Sequence, residues 1–501
     1  MKSFNSYLNT SEEMGFVEQS IHSIVYASGL PNATINEIVL FETGETGIIL
    51  SLTRDHAEIL LFSKYSVKAG TRLTRTGEKQ EMPVGFELLG HVVDSFGQPL
   101  DPGKSFNKPT ISRTIDTIPA GISERRRIDT TFETGVNLVD FLIPLGKGQR
   151  ELIIGNRKTG KTSFLFQAML KQAKLGTICI YAAIGKKKTD IKKAEQFFKK
   201  QGIDGNTVII ASSSDDPSGS IYLTPYCAMT LAEYFRDEGH DVFVVLDDLF
   251  THAKFYREIM LIGRRFPGRN AYPADIFYSH ARLLERAGNF ATTNGQNRSI
   301  TCFPVVESIE GDIAGFIQTN LMSITDGHIY FDGDLFAKGK RPAINSFLSV
   351  SRVGRQTQSS LKLAVNHELT SFLTLSQRLE GFSHFSEETG PEVIRTLKVS
   401  ERINAFFTQG ASEITNIDLQ MVIFGLLWQE TWQDMTAMRE DIKRIQKAYD
   451  ENIEVQTITR EIVNNSVDLN NMLDIIIKRK ADLVRVYGFK LNNNEGIGPK
   501  I

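Results

Sequence analysis

Residues 151–163 read ELIIGNRKTGKTS, and the fold is decided there. An apolar run enters Gly155. Asn156, Arg157, Lys158 and Thr159 follow, then Gly160, Lys161 and Thr162, ahead of the helical FLFQAMLKQAKL. This is strand, G-x-x-x-x-G-K-[ST], helix in full, which an accidental glycine-rich turn does not reproduce. The two glycines let the backbone turn tightly, so that successive N–H groups point into one concavity. The helix N-terminus adds its partial positive charge to that anion nest. Lys161 is placed to reach the β- and γ-phosphates of a nucleotide, and the Thr162 hydroxyl can ligate Mg²⁺. The cofactor expected on this pattern is a nucleotide carrying β- and γ-phosphates, with Mg²⁺.

Working outward, apolar runs alternate with helical stretches from about residue 83 to 355: ELIIG, TICIYAAIG, TVIIASSS and DVFVVLDD. Such alternation predicts a mostly parallel sheet covered by helices. DVFVVLDD ends in Asp247 and Asp248, and a carboxylate at the end of a strand beside the phosphate-loop strand can hold the hydration shell of Mg²⁺. Asp247 is read as the metal-side residue and Asp248 as local structure. Before this region, residues 1–82 hold short β runs (SIVYASG, EIVLF, GIILSL, AEILLF, TRLTRTG), with the turn FETGETG between two of them. They predict a small, mostly antiparallel barrel or sandwich.

Residues 356–501 turn helical. Phe424, Trp428, Trp432, Met435, Met438, Ile442, Ile445 and Tyr449 are spaced +4, +4, +3, +3, +4, +3, +4, which predicts one continuous helix with a single apolar stripe. A second helix is expected with Met472, Ile476, Leu483 and Val486 on its apolar side. Both stripes read as core between packed helices rather than as a free partner groove. LNNNEGIGPKI at the end reads as a loose tail. The fold class is therefore multi-domain α/β: a small β barrel or sandwich, a phosphate-loop domain with a mostly parallel sheet, and a helical region.

Composition excludes other classes. The 501 residues are 41% hydrophobic and 23% charged, which rules out a disordered or low-complexity chain. Lys and Arg number 57 against 59 Asp and Glu, so there is no excess of positive charge for a broad nucleic-acid surface. The run Lys186, Lys187, Lys188, Lys192 and Lys193 reads as a solvated helix start. Three cysteines, Cys179, Cys227 and Cys302, lie far apart without metal-ligand spacing and read as buried thiols in a reducing compartment. MKSFNSYLNTSEEMGF lacks the apolar core of a signal peptide, and no apolar run approaches membrane-spanning length. A soluble, cytoplasmic chain is expected, peripheral at the inner face of the cell membrane and in contact with it only through other subunits.

Beyond these generic features, PVGFELLGHVVDSFGQPLD, GVNLVDFLIPLGKGQRELIIGNRKTGKTS, GRRFPGRNAYPADIFYSHARLLERAG, TNLMSITDGHIYFDGDLF and KGKRPAINSFLSVSRVG resemble the alpha subunits of the rotary ATP synthase catalytic head. The likeness runs from about residue 16 to 450. It implies an N-terminal β-barrel, a RecA-like central domain that binds ATP or ADP with Mg²⁺, a C-terminal helical bundle, and a ring of three alpha and three catalytic beta subunits around a central shaft. It also implies that Gly155 to Thr162 hold the nucleotide with Asp247 on the Mg²⁺ side, and that Arg341, Pro342 and Gln409 lie beside adenine. Arg352 of SVSRVG matches the arginine that reaches onto a neighbouring beta subunit's γ-phosphate, and Ser323 and Ser349 match residues near that boundary. Catalytic relatives carry a Glu after the Gly of AAIG, where it positions the attacking water; here that residue is Lys186. A charged lysine cannot orient water as a carboxylate does. The resemblance therefore implies a chain that binds nucleotide but hydrolyses it poorly, and that works by completing its neighbour's site.

The chain departs from the resemblance in places. About fifteen residues precede the first strand, where ordinary members carry a longer helix; Asn156 and Lys158 stand where Asp and Gln are usual; Ala411 follows Gly410 where a second Gln is common. Proton-coupled ATP synthesis and a repurposed ATP-hydrolysing motor of a wall-less bacterium, driving surface motility for instance, both remain open. A Rho-type RNA translocase would need surface aromatics for RNA and a carboxylate in place of Lys186, and a homohexameric export ATPase would need its own catalytic Glu. Neither is in the sequence, and no nucleic-acid partner is expected.

Overall fold

Six strands lie near the start of the described chain: β1 (Gly15–Ile21), β2 (Ile24–Ser28), β3 (Glu37–Phe41), β4 (Thr46–Leu52), β5 (Ala57–Leu61) and β6 (Arg72–Lys79). In a computed structural model that describes residues 3–101, 105–291, 295–308, 311–383, 390–432 and 434–488, they close into a barrel of order β1-β2-β5-β4-β3-β6. Every second side chain points inward. Val25 with Ala27, Val39 with Phe41, and Ala57 with Ile59 and Leu61 fill the interior. FETGETG makes the expected hairpin, pairing Leu40 with Thr46 and Ile38 with Ile48. β1 starts at Gly15, in line with the about fifteen residues expected before the first strand; the short helix α1 (Phe4–Ser11), whose first turn is capped by Ser3, was not expected there.

The chain divides into two units, residues 1–127, 147–157 and 172–328 in the first, and 128–146, 158–171 and 329–501 in the second. Besides the barrel, the first unit holds a parallel sheet of order Glu151–Gly155, Asn297–Glu307, Val242–Asp247, Ile178–Lys186, Thr207–Ser213 and Val92–Val93. Glu151–Gly155, Thr207–Ser213 and Val242–Asp247 are buried at every position, which is why they read as unbroken apolar runs. The register brings their carboxyl ends level: Gly155 pairs with Glu307, Leu246 with Pro304, and Ala183 with Asp247. Ligands of such sheets sit at those ends.

The second unit is mainly helical. Ser360–Ser383, Pro391–Phe407, Ile417–Trp428, Met435–Glu451, Ile453–Asn464, Leu469–Lys478 and Lys480–Tyr487 enclose one core that includes Phe372, Ile403, Phe424, Trp428, Ile445 and Met472. Both stripes are core, as expected, but neither is one helix. The first breaks between Trp428 and Met435: Glu430 adopts a left-handed φ of 54°, and Asp434 caps the next helix by accepting from the Ala437 N–H at 2.8 Å. Trp432 stays buried in the connection because its indole N–H donates to Asp441 at 3.0 Å. The second breaks at Arg479. The expected tail, LNNNEGIGPKI, lies outside the described residues.

Candidate nucleotide site

The phosphate loop begins at the end of strand Glu151–Gly155 in the first unit and enters the helix Lys161–Lys174 in the second. Its backbone needs the residue types found there. Gly160 has φ +98°, which an L side chain rarely adopts, and Lys158 is left-handed at +61°. Within the first unit, Asn156 accepts from the Ser308 hydroxyl at 2.7 Å and from the Gly311 N–H at 2.8 Å. Arg157, though mostly exposed, donates to Glu307 at 2.8 Å. Glu307 and Ser308 therefore shape the loop from the end of a neighbouring strand. Sequence reading did not single them out, although VVES closes an apolar run in the same way as VVLDD.

The strand that ends in Asp247, expected beside the phosphate-loop strand, lies one further along, past Asn297–Glu307, and there Lys186 meets the two aspartates. The Lys186 Nζ lies 2.7 Å from Asp247 Oδ1 and 3.1 Å from Asp248 Oδ2. Burial alone would lower this ammonium, but the two carboxylates outweigh it and hold its pKa above the usual lysine value. The second oxygen of Asp247 accepts from the Tyr181 hydroxyl at 2.6 Å, and Asp248 Oδ1 accepts from the Thr251 N–H at 2.6 Å, capping the helix Leu249–Ile262. Burial first, then the neighbouring Asp247, pushes the Tyr181 phenol well up. Asp248 thus has the structural role expected of it. Asp247 does not meet a resident Mg²⁺ easily, since both of its oxygens have partners and one partner is a cation. Lys186, expected to lie on a solvated helix start, is instead turned inward; Lys187, Lys188, Lys192 and Lys193 are exposed.

In the second unit, Lys161 and Thr159 are buried and Thr162 is exposed. The Gln167 amide, two turns along the same helix, donates to the carbonyls of Gly410 at 2.8 Å and Glu413 at 3.0 Å. The Gln409 N–H donates to the Arg341 carbonyl at 2.9 Å, so these two expected base-side residues come together with Pro342. Arg341 lies over the Phe336 ring at 3.5 Å and donates to the Phe336 carbonyl at 2.9 Å. The Gln409 carboxamide is engaged internally, accepting from the Asn137 N–H at 2.7 Å and donating to the Gly135 carbonyl at 3.0 Å.

Arg352 lies elsewhere on the second unit. It is exposed and forms no ion pair with any described residue. The turn beneath it is braced: the Ser351 hydroxyl donates to the Pro144 carbonyl at 2.6 Å, and a Cβ on Gly354 would collide with that same oxygen. Phe347, Leu348 and Val350 nearby are about half exposed. Ser349 donates to the Asn345 carbonyl and accepts from the Tyr330 N–H. In the first unit, Ser323 is exposed on the helix Phe316–Ile324 and donates to the Asn320 carbonyl. All three cysteines are buried, and burial raises their thiols, that of Cys227 to about 12. Among the described residues no helix is long and apolar enough to cross a membrane.

Comparison with known proteins agrees with this layout. Residues 135–351 match the family model described as the ATP synthase alpha/beta family, nucleotide-binding domain. The chain is 36% identical over 441 residues to ATP synthase subunit alpha of Macrococcus caseolyticus, covering 88% of this chain and 87% of that protein. To ATP synthase subunit alpha of Dictyoglomus thermophilum it is 39% identical over 414 residues, covering 82% and 81%. A phosphate loop at the end of a parallel-sheet strand, a six-stranded barrel before it, a helical region after it and identity at this level over most of both lengths lead to one conclusion: the chain belongs to the ATP synthase alpha/beta family, as a divergent chain of the subunit alpha type.

Proposed function

We propose that this chain is a non-catalytic, nucleotide-binding subunit of a rotary ATPase ring, alternating three-plus-three with a catalytic beta-type subunit around a central shaft. Its phosphate loop, Gly155 to Thr162, holds ATP or ADP, with Arg341, Pro342 and Gln409 on the base side. Asp247, expected with Thr162 on the Mg²⁺ side, is held by Lys186 and Tyr181 instead. Arg352 serves the neighbour's site, with Ser323 and Ser349 near the subunit boundary. Membrane contact runs through other subunits.

The observation that carries this reading is the Lys186 ammonium, 2.7 Å from Asp247, at the position where hydrolysis calls for a carboxylate to orient water. An exposed guanidinium on a braced turn, with no ion-pair partner among the described residues, supports the second half of the reading. The purified chain should bind ATP with negligible turnover, and Lys161→Ala should weaken that binding. Lys186→Glu should leave turnover negligible, because an arginine from a neighbour is still missing. Turnover by the isolated chain at the rate of an assembled ring would overturn the non-catalytic role.

A further inference from the structure

Two carboxylates at the carboxyl end of Val242–Asp247, one strand removed from the phosphate-loop strand on the same sheet edge of carboxyl ends, create a charge problem. Unneutralised, Asp247 and Asp248 would repel an incoming polyphosphate, and nucleotide sites of this kind ordinarily place a divalent cation between carboxylate and phosphates. Here the chain supplies a cation of its own. Lys186 contacts both carboxylates, at 2.7 and 3.1 Å, while Tyr181 and the Thr251 N–H occupy the remaining oxygen of each. Arg157, beside them at the start of the loop, is matched to Glu307. A Mg²⁺ bridging from Asp247 would have to displace an ammonium at contact distance or sit beside it, and like charges that close are strongly unfavourable in a partly dry site.

We propose that Lys186 is a built-in substitute for the metal, so that this chain retains ATP or ADP with little dependence on Mg²⁺. The inference rests on the reading that Gly155–Thr162 bind nucleotide. Lys186 neutralises the aspartates, and the phosphates are left to Lys161, the loop N–H groups and the helix N-terminus. Lys186 touches no reacting atom and is a positioning residue.

The test is equilibrium binding of a fluorescent ADP analogue to the purified chain, in excess Mg²⁺ and in excess EDTA. The natural chain should change affinity by less than about 3-fold between the two. Lys186→Gln should lose roughly 10-fold or more in EDTA, about 1.4 kcal/mol, and regain it with Mg²⁺. Lys186→Arg, which keeps the charge, should behave like the natural chain. Binding by the natural chain only when Mg²⁺ is present overturns the inference and leaves the nucleotide reading intact; that arm needs no variant to fold. Lys186→Gln that stays indifferent to Mg²⁺ also overturns it. No binding under either condition would instead remove the nucleotide reading beneath it.

Discussion

Replacing Lys186 with methionine isolates the energetics of the cation between the two aspartates. The Lys186 side chain is 22% exposed and those of Asp247 and Asp248 6% and 3%, so the substitution strands two nearly buried charges. Removing one partner of a fully buried pair costs about 3–5 kcal/mol. Two features reduce this: the ammonium is partly open to water, and the carboxylates keep the Tyr181 and Thr251 hydrogen bonds. The expected loss is about 3 kcal/mol, the low end of that range. Adding Asp247→Asn to Lys186→Met should then recover about 1–2 kcal/mol, because the amide still accepts from Tyr181 and no longer repels Asp248. A chain of several domains does not melt in one step, so the assay is amide hydrogen exchange in the strands Ile178–Lys186 and Val242–Asp247. Protection should rank natural chain first, double variant second and single variant last. A single variant as protected as the natural chain, or a double variant worse than the single, would refute the reasoning.

Other perturbations follow from the same contacts. Gly354→Ala drives a Cβ into the Pro144 carbonyl, and should cost about 3 kcal/mol of local stability, read as faster amide exchange in the turn under Arg352. Burial holds His252 at about 4 and His280 well below its usual value, and their ring nitrogens share one hydrogen bond at 3.1 Å. Because these folded pKa values lie below the unfolded one near 6.5, the unfolded chain takes up protons first; stability is full above about pH 6.5 and falls by up to about 1.4 kcal/mol per pH unit per histidine towards pH 4. Denaturant midpoints at about pH 7 and about pH 5 check this, and equal midpoints contradict it. Gln409→Ala removes two internal hydrogen bonds, to Asn137 and Gly135, and should cost about 2 kcal/mol of second-unit stability in a denaturant titration.

Local pattern made much of this fold legible. The phosphate loop is a contiguous run of residue types, each demanded by a local backbone or charge requirement, and the doubly buried strands appear as unbroken apolar runs. Helix boundaries in the C-terminal region were not legible from periodicity. The +4, +3 spacing runs unbroken through Trp432 because that side chain remains in the core while its backbone leaves the helix. Asp434 carried the missing signal, as a capping residue before a new turn. The Lys186 cluster was hidden for another reason: strand register sets it, pairing Ala183 with Asp247 across a separation that no local spacing reveals. In the lysine run, composition pointed to solvent and only the pairing showed Lys186 turned inward. Glu307, which holds Arg157, did carry a local signal, since VVES closes an apolar run as VVLDD does, but only the pairing with Gly155 places it at the loop.

The most direct test of the account is to assemble the ring with a beta-type partner and compare Arg352→Ala and Arg352→Lys with the natural chain, measuring nucleotide binding and steady-state hydrolysis separately. Such an arginine, placed across an interface, is worth roughly 10³ to 10⁵ in rate, about 4 to 7 kcal/mol of barrier. Lysine lacks the planar fork and should not rescue it. The account predicts that hydrolysis collapses in both variants while the ring assembles and its beta-type sites still bind ATP. Near-natural turnover in an intact ring would contradict it.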